Sequence, residues 1–424
     1  MYDYSTCPNK LIFCVDLKSF FASVSCVILG LDPLKVKLAV VGDVTRDGSI
    51  VLAATPAFKK IGIGTGNRKW EIPNDNDIYV VNPSMNTYVQ ISNQITELIL
   101  SKYAAPVDFF QYSIDEFFVD FTNYTYLHKK TPYELASSIQ KDIFAITGVN
   151  SAIGIGPNML MAKIALDHES KKDLSGIAHW TYDDIQTKLW NIKPLNKFWG
   201  ISGKTQAKLN RLGISTIRGL ANYPKEILIK HFGNVIGTEL HLHSNGIDFS
   251  QLSEMKDYKP ADKSIGKSQV LLRDYKADEI KTLILEQLEE VCYRLRNQRN
   301  LCRTIQFSLG YSSNMGGFSK SVTLEQPTDL TLDWFNACLK ILNKHYNNEP
   351  VRTISISLKN FVKEDFEQLS FFSNPIRKQK EKNLAKTMDL IRSKYGKNSL
   401  LRACSYLEHS TIRENNNKIG GHYT

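Results

Sequence analysis

The chain has 424 residues, 53 Lys and Arg against 43 Asp and Glu, a formal charge of +10, and 42% apolar residues. At roughly 100–200 residues per domain this length implies several domains, and 20 Phe, 19 Tyr and 5 Trp give more surface to bury than a disordered chain carries. No apolar run nears the roughly 18 residues of a spanning helix, residues 1–10 lack the plan of a signal peptide, and seven cysteines without a C-x-x-C pair speak against disulfide or zinc frameworks.

A soluble, cytoplasmic, multidomain protein is therefore expected, with no membrane partner. The charge is uneven. Residues 1–254 hold 25 basic and 24 acidic side chains, residues 255–365 hold 17 and 14, and residues 366–424 hold 11 and 5. A basic tail suits a polyanionic partner. The plainer alternative is a solvated helix face with a frayed end.

In chain order, Leu11–Leu17 reads as a strand and Ser19–Gly30 as a helix. Leu38–Gly42 is a second apolar run, and residues 43–81 are dense in Gly, Lys and Asn, as in a small inserted lobe. Tyr88, Ile91, Ile95, Leu98 and Ile99 mark a helix. Val107–Ile114 and Phe117–Thr122 form a predicted hairpin around Asp115-Glu116. Leu135, Ile139, Ile143 and Ile146 mark a further helix that stops at Gly148. Ser151–Ile155 is a strand, and Gly156-Pro157-Asn158 opens the next helix. This order predicts a ferredoxin-type sheet layered with helices. Residues 181–247 read as helical. After the polar stretch 248–262 a second unit follows. Its plan is strand Ser264–Tyr275, helix Ala277–Asn297, strands Cys302–Tyr311 and Phe318–Glu325, helix Leu332–Tyr346 and strand Val351–Phe361, which is β-α-β-β-α-β again. The fold class is α+β.

Three carboxylates are placed for chemistry. Asp16 ends the first strand, and Asp115 and Glu116 occupy the hairpin turn. A ferredoxin-type sheet sets that strand beside the hairpin, so all three converge on one edge. Such a group repels itself unless cations neutralise it, and oxygen-only ligands favour Mg²⁺ or Mn²⁺. Two ions roughly 4 Å apart suit in-line phosphoryl displacement. The competing reading is a solvated turn, where Asp is common. Phe20 and Phe21 follow directly, and adjacent rings on a helix cannot both face one core, so one is expected at the site. Gly154-Ile155-Gly156-Pro157-Asn158 with Lys163 places a glycine turn, a helix start and a lysine together, all of which suit phosphate; a strand-to-helix turn also uses glycine for packing. Lys59 in the inserted lobe is a further phosphate candidate. Phe198-Trp199-Gly200-Ile201-Ser202-Gly203-Lys204 has the h-G-h-G turn of a helix–hairpin–helix, whose amides bind DNA phosphate without reading sequence. Gln368-Leu369-Ser370-Phe371-Phe372 has the character of a docking peptide for a hydrophobic pocket.

Three blocks now stand in order: Val15–Val24, Tyr112–Asp120 and Gly154–Ala165. Together they resemble the signature blocks of Y-family translesion DNA polymerases, closest to the UmuC-like branch of Gram-positive bacteria. The resemblance runs from about residue 10 to the end and includes the helix–hairpin–helix, Lys263-Ser264-Ile265-Gly266-Lys267, and the tail around Leu407–Ser410 and Gly420-Gly421-His422. It implies a right-hand polymerase. The palm would span 1–19 and 82–180, the fingers 20–81, the thumb 181–247, a linker 248–262, the little finger 263–363 and a basic tail 364–424.

At matching positions the resemblance implies that Asp16 and Asp115 bridge two Mg²⁺ ions, which Mn²⁺ can replace. Glu116 would hold the ion that activates the primer 3′-hydroxyl, and the Leu17 carbonyl would be a further ligand. Phe21 would be the steric gate against a ribose 2′-hydroxyl, beside Phe20. Lys163 and Lys59 would contact the incoming dNTP. Gly200, Ser202, Gly203, Lys204 and Lys267 would contact primer–template DNA. Gln368–Phe372 would bind the replication sliding clamp, with accessory mutagenesis or recombinase proteins as further partners. Two departures stand out. Leu17 replaces a frequent aromatic, which a backbone ligand tolerates, and Thr55-Pro56-Ala57-Phe58-Lys59 replaces the usual N-Y-x-A-R block of the fingers, so its tyrosine contact to phosphate is missing. The expected function is error-prone translesion synthesis without proofreading. Two rivals are a different palm-type nucleotidyl-transfer enzyme and a non-catalytic scaffold that binds DNA or the clamp.

Overall fold

The computed structural model describes residues 2–124, 129–257, 263–312, 316–363 and 375–423. The chain forms two compact units, Met1–Tyr258 with His422–Thr424, and Lys259–Gly421. Among the described residues no helix is long and apolar enough to cross a membrane.

The first unit is built on a five-stranded sheet. Its strands are β1 (Ile12–Leu17), β5 (Phe109–Gln111), β6 (Glu116–Asp120), β7 (Ser151–Gly156) and β8 (Ile177–His179), in the order β5-β6-β1-β7-β8. The first four follow the ferredoxin-type order read from the sequence, and β8 adds a strand parallel to β7. Successive residues of a strand point to opposite faces, so the alternation in β1 divides the core. Phe13, Val15 and Leu17 pack with Phe117, Val119, Ile153 and Ile155 beneath the helices α2 (Met85–Lys102) and α3 (Pro132–Thr147). Ile12 and Cys14 pack on the other face with Phe118 and Ala152 beneath α4 (Met159–Ala165). Asp16 continues this second face at the end of β1.

The helix α1 (Phe20–Ile28) leads from β1 into the inserted lobe, a three-stranded sheet of β2 (Lys37–Val41), β3 (Val51–Ala54) and β4 (Ile78–Val81) in the order β3-β2-β4. Residues 203–244 carry four helices: α5 (Gly203–Arg211), α6 (Ile217–Ala221), α7 (Lys225–Phe232) and α8 (Asn234–Ser244). Leu209, Ile214, Ile217, Leu220 and Leu228 close their core.

The second unit is a four-stranded antiparallel sheet of β9 (Ser264–Tyr275), β10 (Asn300–Tyr311), β11 (Gly317–Thr328) and β12 (Val351–Lys363), in the order β11-β10-β12-β9. Helices α9 (Ala277–Asn297) and α10 (Thr331–His345) cover one face. Ile305, Phe307, Leu309, Ile354, Ile356 and Leu358 point into that core. The described part of the tail, residues 375–423, is neither frayed nor a free basic arm. It forms α11 (Pro375–Tyr395) and docks on the buried acids of α9. Arg296 grips Asp389 through two nitrogens at 2.6 and 3.1 Å. Glu289 lies between Arg392 at 2.6 Å and Arg402 at 2.7 Å, and Glu286 accepts from Thr411 at 3.2 Å. Part of the tail's positive charge is therefore used inside the unit.

Candidate active site

The end of β1 is assembled by strand register. Asp16 on β1 lies directly opposite Glu116 on β6. The turn before Glu116 is tied down by backbone bonds: the Ser113 N–H donates to the Glu116 carbonyl at 2.9 Å, and the Leu17 N–H donates to the Asp115 carbonyl at 2.9 Å. That second bond draws Asp115 to the end of β1 beside Asp16. Glu116 itself is the first residue of β6 and is 7% exposed, so it sits within the strand rather than in the solvated turn read from the sequence.

Each carboxylate has a partner. Glu116 Oε2 accepts from Lys163 Nζ at 2.8 Å, and its Oε1 accepts from the buried Cys14 thiol at 3.2 Å. Asp16 pairs with Lys171 at 3.0 Å. Asp115 accepts from the Ser113 hydroxyl at 2.7 Å. Burial pushes the Asp16 carboxyl up to about 6; Lys171 opposes that rise, and the charges of Glu116 and Asp115 add to it. Burial disfavours the Lys163 ammonium, but Glu116 and Asp167 outweigh it and hold the group above its ordinary value. Burial also keeps Cys14 a neutral thiol, reinforced by Glu116.

The two phenylalanines separate as adjacent helical residues must. Phe20 is 2% exposed in the core beneath α2. Phe21 is half-buried and stacks on Tyr88, with ring centroids 4.4 Å apart and planes at 12°. Tyr88 is anchored in turn by Ser25, hydroxyl to hydroxyl at 2.9 Å. Lys59 ends a short helix of the inserted lobe and donates to the Ser19 hydroxyl at 2.9 Å. Ser19 holds a left-handed backbone (φ 50°) between β1 and α1. The lobe thus reaches back to the turn between β1 and α1.

The glycine turn before α4 has a packing role. A Cβ on Gly154 would stand 2.1 Å from the Ala162 carbonyl oxygen, and one on Gly156 would stand 2.4 Å from the Ala162 nitrogen. These glycines let α4 lie directly on β7. The start of α4 is occupied from within: the Met161 N–H donates to the Asn158 side chain at 2.9 Å and the Leu160 N–H to Asp248 at 3.3 Å. It is a buried joint rather than a phosphate cradle, and Lys163 projects from it to Glu116.

The helix–hairpin–helix turn has the opposite character. Phe198 and Ile201 are buried, while Gly200, Ser202, Gly203 and Lys204 are exposed. Gly200 takes φ +88°, which favours glycine, and a Cβ on either glycine would meet nothing within 4 Å. Ser202 caps α5 by accepting from the Thr205 N–H at 3.2 Å. In the second unit, alternation places Lys267 opposite Ile356 on the helix-packed face, where it pairs with Glu290 at 2.6 Å. The open face is formed by its neighbours. Three cross-strand rows run Ser268-Ser355-Ser308-Ser319, Gly266-Ser357-Gln306-Ser321 and Ser264-Lys359-Thr304-Thr323. These rows hold one lysine and no acid. Gln368, Leu369, Ser370, Phe371 and Phe372 lie outside the described residues.

Three family models match the chain: the impB/mucB/samB family over residues 15–167, the IMS family HHH motif over 182–214, and the impB/mucB/samB family C-terminal domain over 262–371. The chain is 45% identical over 426 residues to the Putative UV-damage repair protein UvrX of Bacillus subtilis (strain 168), covering 100% of both chains. It is 37% identical to DNA polymerase IV 2 of the same organism, covering 98% of this chain and 99% of that one. The chain belongs to the impB/mucB/samB family. A solved Y-family DNA polymerase chimera superimposes with a TM-score of 0.65 at 21% identity, covering 84% of this chain and 100% of that one. The fold is therefore that of a Y-family polymerase.

Polymerases of this family generally use divalent metal ions, and the donor set here suits them in kind. Asp16, Asp115, Glu116 and a backbone carbonyl offer only hard oxygen ligands, and a largely buried Asp16 pushed up to about 6 is a carboxyl that a cation would stabilise. Among the described residues no three His, Cys, Asp or Glu side chains stand grouped around a common point. Lysine ammoniums engage two of the carboxylates instead. Sequence reasoning missed Lys171, Asp167, Cys14 and Tyr88. Only the fourfold spacing of Lys163, Asp167 and Lys171 was a usable signal.

Proposed function

We propose that this chain, a DNA-directed DNA polymerase by its family, extends primers across damaged template by metal-assisted transfer of a nucleotide to the primer 3′-hydroxyl. The observation that carries the reading is the end of β1, where the Asp16–Glu116 register and the Leu17–Asp115 backbone bond bring three carboxylates to one edge. Asp16, Asp115, Glu116 and the Leu17 carbonyl would hold two Mg²⁺ ions, which supply neutralisation of the triphosphate and activation of the attacking oxygen. The remaining work is positioning.

Phe21, braced face-on by Tyr88, is a rigid wall suited to excluding a 2′-hydroxyl. Lys59, held at the β1–α1 turn by Ser19, would supply a cation to an incoming triphosphate. The exposed turn Gly200–Lys204 offers amides and an ammonium to a DNA phosphate. The serine- and threonine-rich rows of the second unit present hydroxyl donors and no repelling acid to a nucleic-acid backbone. Low fidelity and a sliding-clamp partner for Gln368–Phe372 belong to the same proposal, as does the division into palm (1–19, 82–180), fingers (20–81), thumb (181–247) and little finger (263–363).

Primer extension with dNTPs and Mg²⁺ tests this. The chain should extend primers on undamaged and damaged templates, and Asp115→Ala should not. Equal extension by the variant would remove the carboxylates from the reaction.

A further inference from the structure

Beside the catalytic carboxylates lies an unbroken chain of alternating charge. Glu116 pairs with Lys163 at 2.8 Å, Lys163 with Asp167 at 3.1 Å, Asp167 with Lys171 at 2.9 Å and Lys171 with Asp16 at 3.0 Å. Lys163, Asp167 and Lys171 recur every fourth residue through α4 and the π-helical turn Leu166–Ser170 that follows it. Asp167 is a fourth carboxylate, outside the three assigned to metal, and it touches both ammoniums.

We propose that Asp167 is a positioning residue that holds Lys163 and Lys171 as internal counter-cations of Glu116 and Asp16, and that divalent ions load the site by exchange with these ammoniums. The inference rests on the metal role proposed above for Asp16 and Glu116. Carboxylates crowded at a largely buried strand end need a cation in every state of the protein. The two lysines meet that need before any ion arrives. An ammonium with a single partner could not give it up without being stranded, and Lys163 is only 9% exposed. Its second pair, with Asp167, lets it release Glu116 and remain neutralised. Lys171, with 34% of its side chain exposed, stands at the rim and is held by the same Asp167 when it leaves Asp16.

The exchange makes a prediction opposite to that for a simple structural pair, because removing a competing ammonium should tighten metal binding. The test is Mn²⁺ binding followed by electron paramagnetic resonance, on the full chain with a primer–template whose primer ends in a dideoxynucleotide, so that no chemistry occurs. Lys171→Met should tighten Mn²⁺ binding by about three- to tenfold, the scale of one partly screened charge pair. Lys172→Met makes the same change of charge on an exposed neighbour and should alter it less than about twofold. Asp167→Asn should weaken binding, and its effect should shrink in the Lys171→Met background. Unchanged or weaker binding in Lys171→Met, or an equal gain in Lys172→Met, would overturn the exchange. If Asp167→Asn fails to fold, the two lysine variants decide the matter by themselves. Absence of Mn²⁺ binding in the wild type, or full binding by Asp115→Ala, would overturn the metal reading and the exchange with it.

Discussion

Replacing Asp16 by Asn should stabilise the metal-free protein at neutral pH while abolishing its polymerase activity. Burial moves the Asp16 carboxyl from 3.8 to about 6, so over that interval the native state binds more protons than the unfolded chain. Stability therefore falls as pH rises through about 6. At about 1.36 kcal/mol per pH unit, ionised Asp16 costs the native state about 3 kcal/mol above pH 7. Asn has the same shape and cannot ionise, and Lys171 retains Asp167 at 2.9 Å. The variant should match the wild type below about pH 4 and exceed it by up to about 3 kcal/mol at pH 7.5. Urea titrations in EDTA measure this, read by tryptophan fluorescence, because Trp70, Trp180, Trp190 and Trp199 belong to the first unit and only Trp334 to the second. Saturating Mg²⁺ should erase the advantage by stabilising the wild type alone. A stability gap independent of pH, or a variant weaker than wild type at pH 7.5, would refute the electrostatic reasoning.

Phe21→Ala should lower selectivity for dNTP over rNTP by at least about tenfold, as expected when a steric wall is lost, and unchanged selectivity in single-nucleotide insertion would exclude Phe21 as the gate. Gly154→Ala drives a Cβ to 2.1 Å from the Ala162 carbonyl and should cost about 1–3 kcal/mol by lifting α4 from β7; an unchanged urea midpoint would refute that packing role. Lys204→Ala should weaken primer–template binding and reduce the slope of log affinity against log salt by about one, measured by fluorescence anisotropy, and an unaltered slope would remove Lys204 from the DNA contact.

Much of this architecture was legible because apolar periodicity reports packing. Ser264–Tyr275 and Ala277–Asn297 occupy the spans that their patterns predicted, and the neighbouring positions of the Asp16 strand and the Asp115–Glu116 hairpin followed from the β-α-β-β order. What escaped was set by polar contacts. The helix Pro375–Tyr395 docks through Asp389 and Arg392 rather than through an apolar stripe, so no hydrophobic period announced it. Lys267 looked available to DNA, but counting in twos from Ile265 puts it on the helix-packed face with Glu290. Lys171 reaches Asp16 only because α4 lies flat on β7, and that depends on two glycines read first as a phosphate turn. Asp115 and Glu116 are consecutive in sequence, yet one stays at the turn and the other enters the sheet, a split decided by the bonds from Ser113 and Leu17.

The end of β1 is proposed as a polymerase active site able to copy damaged template. Its most direct test is extension of a labelled primer over a template lesion with dNTPs and Mg²⁺, comparing the wild type with Asp16→Asn and Glu116→Gln under conditions where all three are folded. The wild type should insert opposite the lesion and extend beyond it, and both variants should stop at the primer. Bypass by either variant at the wild-type rate, or no incorporation by the wild type on any template, would contradict it.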